Sequence, residues 1–391
     1  MKKVIVDLDL GAAKTERFNN LYPVLDRLVN RDGNLVGSRN GETLELLDFK
    51  TQITSPIYRC TGGHNRDINI FFLLAEALWI WTGRKDVAFL EIFNSRMRSF
   101  SDNGKFFHAP YGFRLRKWGL STSDFFTEEN KHALVFTDQI EEVINLLSSG
   151  EEETRRAVMS IWNPDLDLNK EGKDLPCNDL LMLQERGGKL NITISNRSND
   201  LHWGLPTNVF QFSWILEMIT WCLNLEMGTQ THNSKSLHIY IGNDISKKMR
   251  NSTSEWDLYE VCEPSRFSCD FSDLNPLNRL EYLDFMSNSI VDTLTKNYLD
   301  KSLFVDNFKE KGSYFDTVYS ILWIYMSYKL GEKNDENRLE ALRSLSKLDK
   351  NENCRDYLIL AKNWFFNKIK DNSKKIDVVQ ELLLPEYIGK L

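Results

Sequence analysis

Residues 175 to 240 of this 391-residue chain concentrate side chains that can do chemistry. Cys177 follows Leu175-Pro176, Arg197-Ser198 and Asp200 come next, Gly204-Leu205-Pro206-Thr207-Asn208 follows, and His238-Ile239-Tyr240 closes the stretch. A thiol is a strong nucleophile once ionised, although at an unperturbed pKa of ~8.5 only a few per cent is thiolate at neutral pH. A guanidinium fork fits phosphate oxygens two at a time. A carboxamide such as Asn208 can donate and accept toward a planar base. Taken alone, Cys177 reads more simply as a buried structural cysteine, and a lone histidine as a structural one.

Five further residues could join such a site. Glu76 lies in the middle of an apolar run, where a carboxylate is costly unless paired, hydrated or protonated. It either reaches solvent from a helix face or is an acid/base group whose surroundings lift its pKa toward neutrality. Arg39, in Ser38-Arg39-Asn40-Gly41, is either a solvated charge or a phosphate contact. Tyr111 stands between Pro110 and Gly112. Arg155-Arg156 opens a strand, either solvated or suited to a subunit contact or an anion.

The elements that must position these residues are legible from periodicity. Lys189 to Asn196 alternates, with Leu190, Ile192 and Ile194 on one face, and so delivers Arg197 and Asp200 at a strand end. Val209, Phe212, Leu216, Ile219 and Leu223 recur at helical spacing, predicting an amphipathic helix that ends near Gly228 with Asn208 as its N-cap. Leu237 to Ile241 alternates as a strand, placing His238 and Tyr240 on one face. Ile68 to Thr82 is apolar nearly all round, a buried helix stopped by Gly83. A strand at Val4 to Leu8, a helix at Leu21 to Val29, a strand reaching Phe49, a surface helix over Thr137 to Ser149 and a strand at Ala157 to Trp162 complete this part. From Ser254 onward helices dominate, at Leu280 to Tyr298, Tyr314 to Leu330, Asn337 to Leu348 and Cys354 to Lys368, with no catalytic constellation. A packing or dimerisation module is the simplest account of them.

Composition narrows the function further. The net charge of −7, from 49 basic and 56 acidic residues, disfavours a general nucleic-acid surface. Six cysteines without CxxC or zinc-finger spacing suit reduced thiols in a cytosol and imply no metal site. Met1-Lys-Lys leads straight into a strand-like stretch, so no signal peptide is expected. The longest apolar run, around Ile321 to Met326, falls well short of the ~20 residues of a membrane span.

Several of these pieces together resemble the thymidylate synthase superfamily. They are Arg155-Arg156 before Ser160-Ile161-Trp162-Asn163, then Pro176-Cys177, Arg197-Ser198-x-Asp200, Gly204-Leu205-Pro206-x-Asn208 and His238-x-Tyr240, in family order. Glu76 in Ala75-Glu76-Ala77-Leu78-Trp79 and Arg39 match further family positions, so the likeness covers roughly residues 35–245. It implies an α/β (α+β) fold: a large twisted mixed β-sheet packed by helices in residues 1–250, carrying a helical C-terminal extension in residues 251–391. It further implies a homodimer acting on a pyrimidine deoxynucleotide monophosphate with 5,10-methylenetetrahydrofolate as cosubstrate, without metal, nucleic acid or membrane, in a bacterial or phage-infected cytosol.

The resemblance also distributes roles. Cys177 would add to C6 of the base, with Arg197 above all raising its thiolate fraction. Arg39, Arg197 and Ser198 would hold the phosphate, Arg155 and Arg156 reaching in from the second subunit. His238 and Tyr240 would bind the sugar, Glu76 would move protons through a water network, and Tyr111 would assist removal of the C5 proton. Asp200, Gly204 and Trp79 would meet the folate.

Departures from the synthase pattern point to one branch. Asn178 stands where the family usually has histidine after the cysteine. Met97-Arg98-Ser99-Phe100 stands where the methyl-forming enzymes carry a shielding tryptophan, so water would capture the intermediate and yield hydroxymethyl instead of methyl. The family's usual C-terminal ending is also missing, and about 140 helical residues are added. These features, with Ser101-Asp102-Asn103-Gly104 and Tyr111-Gly112-x-Arg114-x-Arg116, resemble the phage-type nucleotide hydroxymethylases. Asn208, where the cytosine-acting ones typically carry Asp, favours dUMP, although a flipped amide could serve cytosine. A thymidylate synthase, a dCMP or CMP hydroxymethylase and a non-catalytic nucleotide or RNA sensor are the alternatives.

Overall fold

A computed structural model describes residues 7–9, 11–62, 69–120, 135–150, 153–242, 244–250, 258–269, 273–299, 313–349 and 352–382. Its strands are β1 (Asp7–Asp9), β2 (Ala12–Thr15), β3 (Asn34–Ser38), β4 (Gly41–Ile53), β5 (Val158–Ser160), β6 (Asn178–Arg186), β7 (Lys189–Asn196), β8 (Asn199–Asp200) and β9 (Glu226–Tyr240). They form one mixed sheet in the order β1-β2-β4-β9-β7-β6-β5, with β3 paired to β4 and β8 to β9. The β7–β9 and β8–β9 pairs are parallel, whereas β6–β7 and β4–β9 are antiparallel. The mixed sheet packed by helices is the architecture expected from the sequence.

The helices in the first two thirds of the chain are α1 (Phe18–Asp32), α2 (Ile70–Trp81), α3 (Val87–Phe93), α4 (Met97–Phe100), α5 (Tyr111–Arg116), α6 (Gln139–Ser148), α7 (Pro164–Asp167), α8 (Gly204–Leu223) and α9 (Ile245–Arg250). Beyond them lie α10 (Pro276–Leu299), α11 (Tyr314–Leu330), α12 (Asp335–Ser346), α13 (Arg355–Lys368) and α14 (Asn372–Glu381). Residues 4–6 of the expected first strand lie outside the described residues. No helix among the described residues is long and apolar enough to cross a membrane.

Helix α2 forms because nearly every residue is apolar and Asn69 caps it, accepting the Phe72 N–H. Gly83 ends it with φ +63°, a left-handed conformation that costs glycine little. Such a helix needs burial on all sides, and the C-terminal helices supply part of it. Phe71 stacks on Tyr325 of α11 at 4.3 Å, and the Tyr325 hydroxyl donates to Phe93 O. The hydrophobic core runs without a break from α2 and α8 into α10, α11 and α13. A second, smaller core lies under α1, against β2, β4, β9 and the first turns of α8.

One buried polar hub keys the extension to the sheet-bearing part. Arg59 and Glu217, both buried, pair at 2.6 Å, and Glu217 also accepts the Phe267 N–H at 2.7 Å. Tyr259 accepts the Cys60 N–H and donates to Asp356, which also takes the Ser265 N–H. A charge pair this deep is neutral to stability when intact and expensive to break.

Two sequence expectations for α8 are corrected. The helix starts at Gly204, so Asn208 is inside it and is not its N-cap. The approach is instead held by Asp200, whose Oδ1 accepts the N–H groups of His202 and Trp203. Pro206, lacking an N–H, is accommodated in the first turn, where backbone donors are unused anyway. The far end comes at Leu223, because Asn224 turns left-handed (φ 55°) and feeds β9, which already contains Gly228.

Candidate active site

The candidate site forms where β6, β7, β8 and β9 present one end of the sheet. Asn178 opens β6 directly opposite Asn196, the last residue of β7. A bulge then follows in β6, with Asp179 the additional residue, and rolls Cys177 off the sheet end. The chain leaves the sheet at Arg197-Ser198 and rejoins it as β8, where Asp200 pairs with His238. Cys177, Arg197, Ser198, Asp200 and His238 are thus neighbours by strand register.

Contacts around the thiol are dense. The Cys177 N–H donates to the Tyr111 hydroxyl at 3.3 Å. Arg197 Nε donates to Pro176 O at 2.8 Å and Nη2 to Leu175 O at 3.5 Å, while its guanidinium lies over the Trp162 ring. The Cys177 thiol donates to Leu175 O at 3.9 Å, and the Ser198 hydroxyl favours its anion. Burial nonetheless pushes the Cys177 pKa above the ordinary thiol range; Arg197 pulls it down, and Asp174 and Asp179 oppose Arg197. Arg197 thus acts in the expected direction, favouring the thiolate, without bringing the thiol below its ordinary range. Desolvation of the thiolate outweighs the single guanidinium beside it, because the charged form loses more hydration than that cation restores.

Tyr111 reaches the cysteine because α5 packs very tightly on α2. A Cβ on Gly112 would lie 2.0 Å from Ile80 O, so only glycine permits that approach. Burial raises the phenol's pKa. Arg114 and His108 share buried Asp167, which fixes the segment before α5 and the loop after β5.

Glu76 lies on α2 facing α8. Its Oε2 accepts Gln211 Nε2 at 2.9 Å, and burial lifts its pKa to about 7 against the lowering effect of Gln211. A pKa near neutrality is what the acid/base alternative read from the sequence requires. One turn earlier on α8, Asn208 meets Asn178, giving amide contacts of 3.2 and 3.3 Å in both directions. A single helix face therefore touches both Glu76 and the residue next to Cys177.

The other expected residues are placed unevenly. Arg39, at the β3–β4 turn, is exposed and donates to Gly172 O and, at 3.2 Å, to Lys173 O in the loop before Cys177. Asp102 of the Ser101-Gly104 turn accepts the Lys173 N–H, tying down the same loop. His238 is buried with its ring edge-on to Tyr240 at 5.5 Å, and Ser236 links it to Glu45. Gly204 opens α8 beside Asp200, where an added Cβ would make only ordinary contacts. Trp79 is buried, its indole N–H donating to Asp86 O and its ring set edge-on to Phe107. Met97 and Phe100 lie on α4, with Phe100 half exposed.

Arg155 and Arg156 are not brought to the cysteine within one chain. They are exposed, and the adjacent Ala157 O accepts the N–H of Leu183, which lies on the order of 20 Å along β6 from Cys177.

Gln211 and Asn196 were not read from the sequence as site residues. Both carried a signal: each is polar at a position whose neighbours in period are buried and apolar. Asn196 in particular continues the Leu190, Ile192, Ile194 face.

A family model described as Thymidylate synthase matches residues 63–254. A deoxyuridylate hydroxymethyltransferase of Bacillus phage SP01 is 38% identical over 266 residues, 67% of this chain and 67% of that protein. Proteins of the same description from Pseudomonas phage M6 and Delftia phage PhiW-14 are 36% and 26% identical, over 56% of this chain in each case. The matches span 57% and 59% of those two relatives.

Proposed function

The chain belongs to the thymidylate synthase family, and from that premise we propose that it is a deoxyuridylate hydroxymethyltransferase. It converts dUMP, a one-carbon unit and water into 5-hydroxymethyl-dUMP. The observation that carries this reading is the α8 face that joins Glu76, through Gln211, to the Cys177-Asn178 turn, through Asn208. The names of the phage relatives favour hydroxymethyl over methyl.

Cys177 is the nucleophile. Its sulfur adds to C6 of the uracil ring, which makes C5 nucleophilic toward the one-carbon unit. In this resting geometry the thiol is protonated, so it must lose that proton as the nucleotide binds. Arg197 and Ser198, already in contact with the cysteine loop and its thiol, favour the anion. Tyr111 takes part in removing the C5 proton, beside the Cys177 N–H. Glu76, poised near neutrality, can both donate to and accept from waters at O4 and at the C5 substituent. A carboxyl of ordinary pKa would be a poor acid at this pH. Water then adds at the exocyclic carbon, and the thiolate leaves C6.

When bound, 5,10-methylenetetrahydrofolate supplies the one-carbon unit and departs as tetrahydrofolate. The residues present fit it. Asp200 uses Oδ1 for two backbone N–H groups and keeps Oδ2 as an acceptor, Trp203 beside it exposes 57% of its surface, and Gly204 leaves its approach open. Trp79, the third residue assigned to the folate by the family likeness, is buried against Asp86 and Phe107.

Asn208 reads uracil, His238 and Tyr240 the sugar, and Arg39, Arg197 and Ser198 the phosphate. Arg155 and Arg156 complete the phosphate site of a partner subunit in a homodimer. Residues 1–250 form the catalytic region and residues 251–391 an extension docked behind α2. The setting is a bacterial or phage-infected cytosol.

Mass spectrometry of the nucleotide formed from dUMP and methylenetetrahydrofolate tests the reading, with 5-hydroxymethyl-dUMP and no dihydrofolate expected. A methyl product with the near-ultraviolet rise of dihydrofolate would make the protein a thymidylate synthase instead.

A further inference from the structure

Three side-chain amides run in series beneath the candidate base site. Asn196, 1% exposed, donates from Nδ2 to Oδ1 of Asn178, which is 0% exposed. Asn178 in turn forms the two-way pair with Asn208, donating to its Oδ1 at 3.2 Å and accepting from its Nδ2 at 3.3 Å. The Asn196 Oδ1 has no hydrogen-bond partner among the described residues. A buried acceptor left unpaired is a standing cost, so Asn196 serves this site through its donor end alone.

The series has a direction. With the Asn196 amino group facing Asn178 Oδ1, rotating the Asn178 amide by half a turn would set two amino groups against each other. Asn178 is therefore held with its oxygen toward Asn196. Given that orientation, rotating Asn208 alone would place oxygen against oxygen and amino group against amino group across the pair. Each amide locks the next.

Uracil and cytosine differ by exchanging donor and acceptor at N3 and at the position 4 substituent. A freely rotating Asn208 would suit either base, and a locked one suits only one of them. We propose that Asn196 is a specificity-positioning residue, which sets uracil against cytosine by fixing Asn208 through Asn178 without touching the nucleotide. This deepens the proposed function and rests on Asn208 as the residue that reads the base.

Asn196→Asp reverses the sign of the first link. A carboxylate can only accept, so Asn178 must turn its amino group toward it, and Asn208 must follow. The test is the ratio of kcat/KM for dUMP over dCMP, measured by product mass spectrometry on one preparation, so that any loss of active enzyme cancels. Asn196→Asp is expected to lower that ratio about tenfold or more, the size of one hydrogen bond to a charged group. In an Asn178→Ala background the same substitution is expected to leave the ratio within about twofold, because the relay is already cut.

Asn208→Asp separates this proposal from the reading beneath it. If Asn208→Asp lowers the ratio and Asn196→Asp does not, the relay is overturned and the base-reading role stands. If neither lowers it, the base-reading role falls and takes the relay with it. Should the aspartate prevent folding, Asn178→Ala alone must lower the ratio, since it frees Asn208 to rotate, and an unchanged ratio overturns the proposal.

Discussion

Glu76→Gln changes stability in a way that depends on pH, with a sign fixed by the position of the carboxyl. Burial between α2 and α8 carries its pKa from 4.5 to about 7. At about 1.4 kcal/mol per pH unit, ionising this group inside the fold costs about 3 kcal/mol relative to ionising it in the unfolded chain. Between those two pH values the folded protein holds a proton that the unfolded chain has released. Stability therefore falls as pH rises through this window and is level above it, as far as Glu76 is concerned. Glutamine is isosteric, cannot ionise and can still face Gln211. Urea unfolding of both proteins at pH 5 and at pH 8.5 reads the difference. Near the lower pH the two differ little, and at the higher pH the variant gains up to about 3 kcal/mol over the wild type. The same substitution lowers turnover by about a hundredfold or more, since the acid/base group is gone. A stability difference that is the same at both pH values would show that Glu76 ionises freely, and the acid/base assignment would lose its physical basis.

Three other outcomes are expected if the proposed function holds. Cys177→Ser abolishes turnover while calorimetry still finds dUMP binding, because the phosphate and sugar contacts do not use the sulfur. Mixing Cys177→Ser subunits with subunits carrying Arg155→Ala and Arg156→Ala, each inactive alone, recovers up to roughly a quarter of wild-type activity after exchange, as two-fold sharing of sites requires; no recovery would place these arginines outside a partner's site. Gly112→Ala forces α5 away from Ile80 O, costing about 3 kcal/mol in urea unfolding and displacing Tyr111 from the Cys177 N–H.

Much of this molecule is written in local pattern. Alternation through Lys189–Asn196 and 3–4 spacing in α8 and α11 are properties of short segments, set by which face each side chain turns to the core. The order of Cys177, Arg197, Asp200, Asn208 and His238 is likewise a property of the chain alone. The start of α8 is not legible in the sequence because Asn208 is a good cap by type, whereas the three-residue turn 201–203, held by Asp200 through the His202 and Trp203 N–H groups, starts the helix at Gly204. Gln211 and Asn196 are not legible as site residues because a polar residue on an apolar face declares a partner without saying which one.

The sequence by itself determined which side chains are available and on which face of which element each stands, since both follow from residue type and backbone period. Tertiary structure alone decided what those side chains are chemically. Register set Asn178 against Asn196 and so made an amide series. Packing of α2 against α8 half-buried Glu76 beside Gln211 and moved it toward neutrality. Burial at the sheet end raised the Cys177 thiol by more than its neighbour Arg197 lowers it. The physical reason is common to all three: hydrogen-bond partnership and desolvation are set by groups distant in sequence, and no local pattern records them.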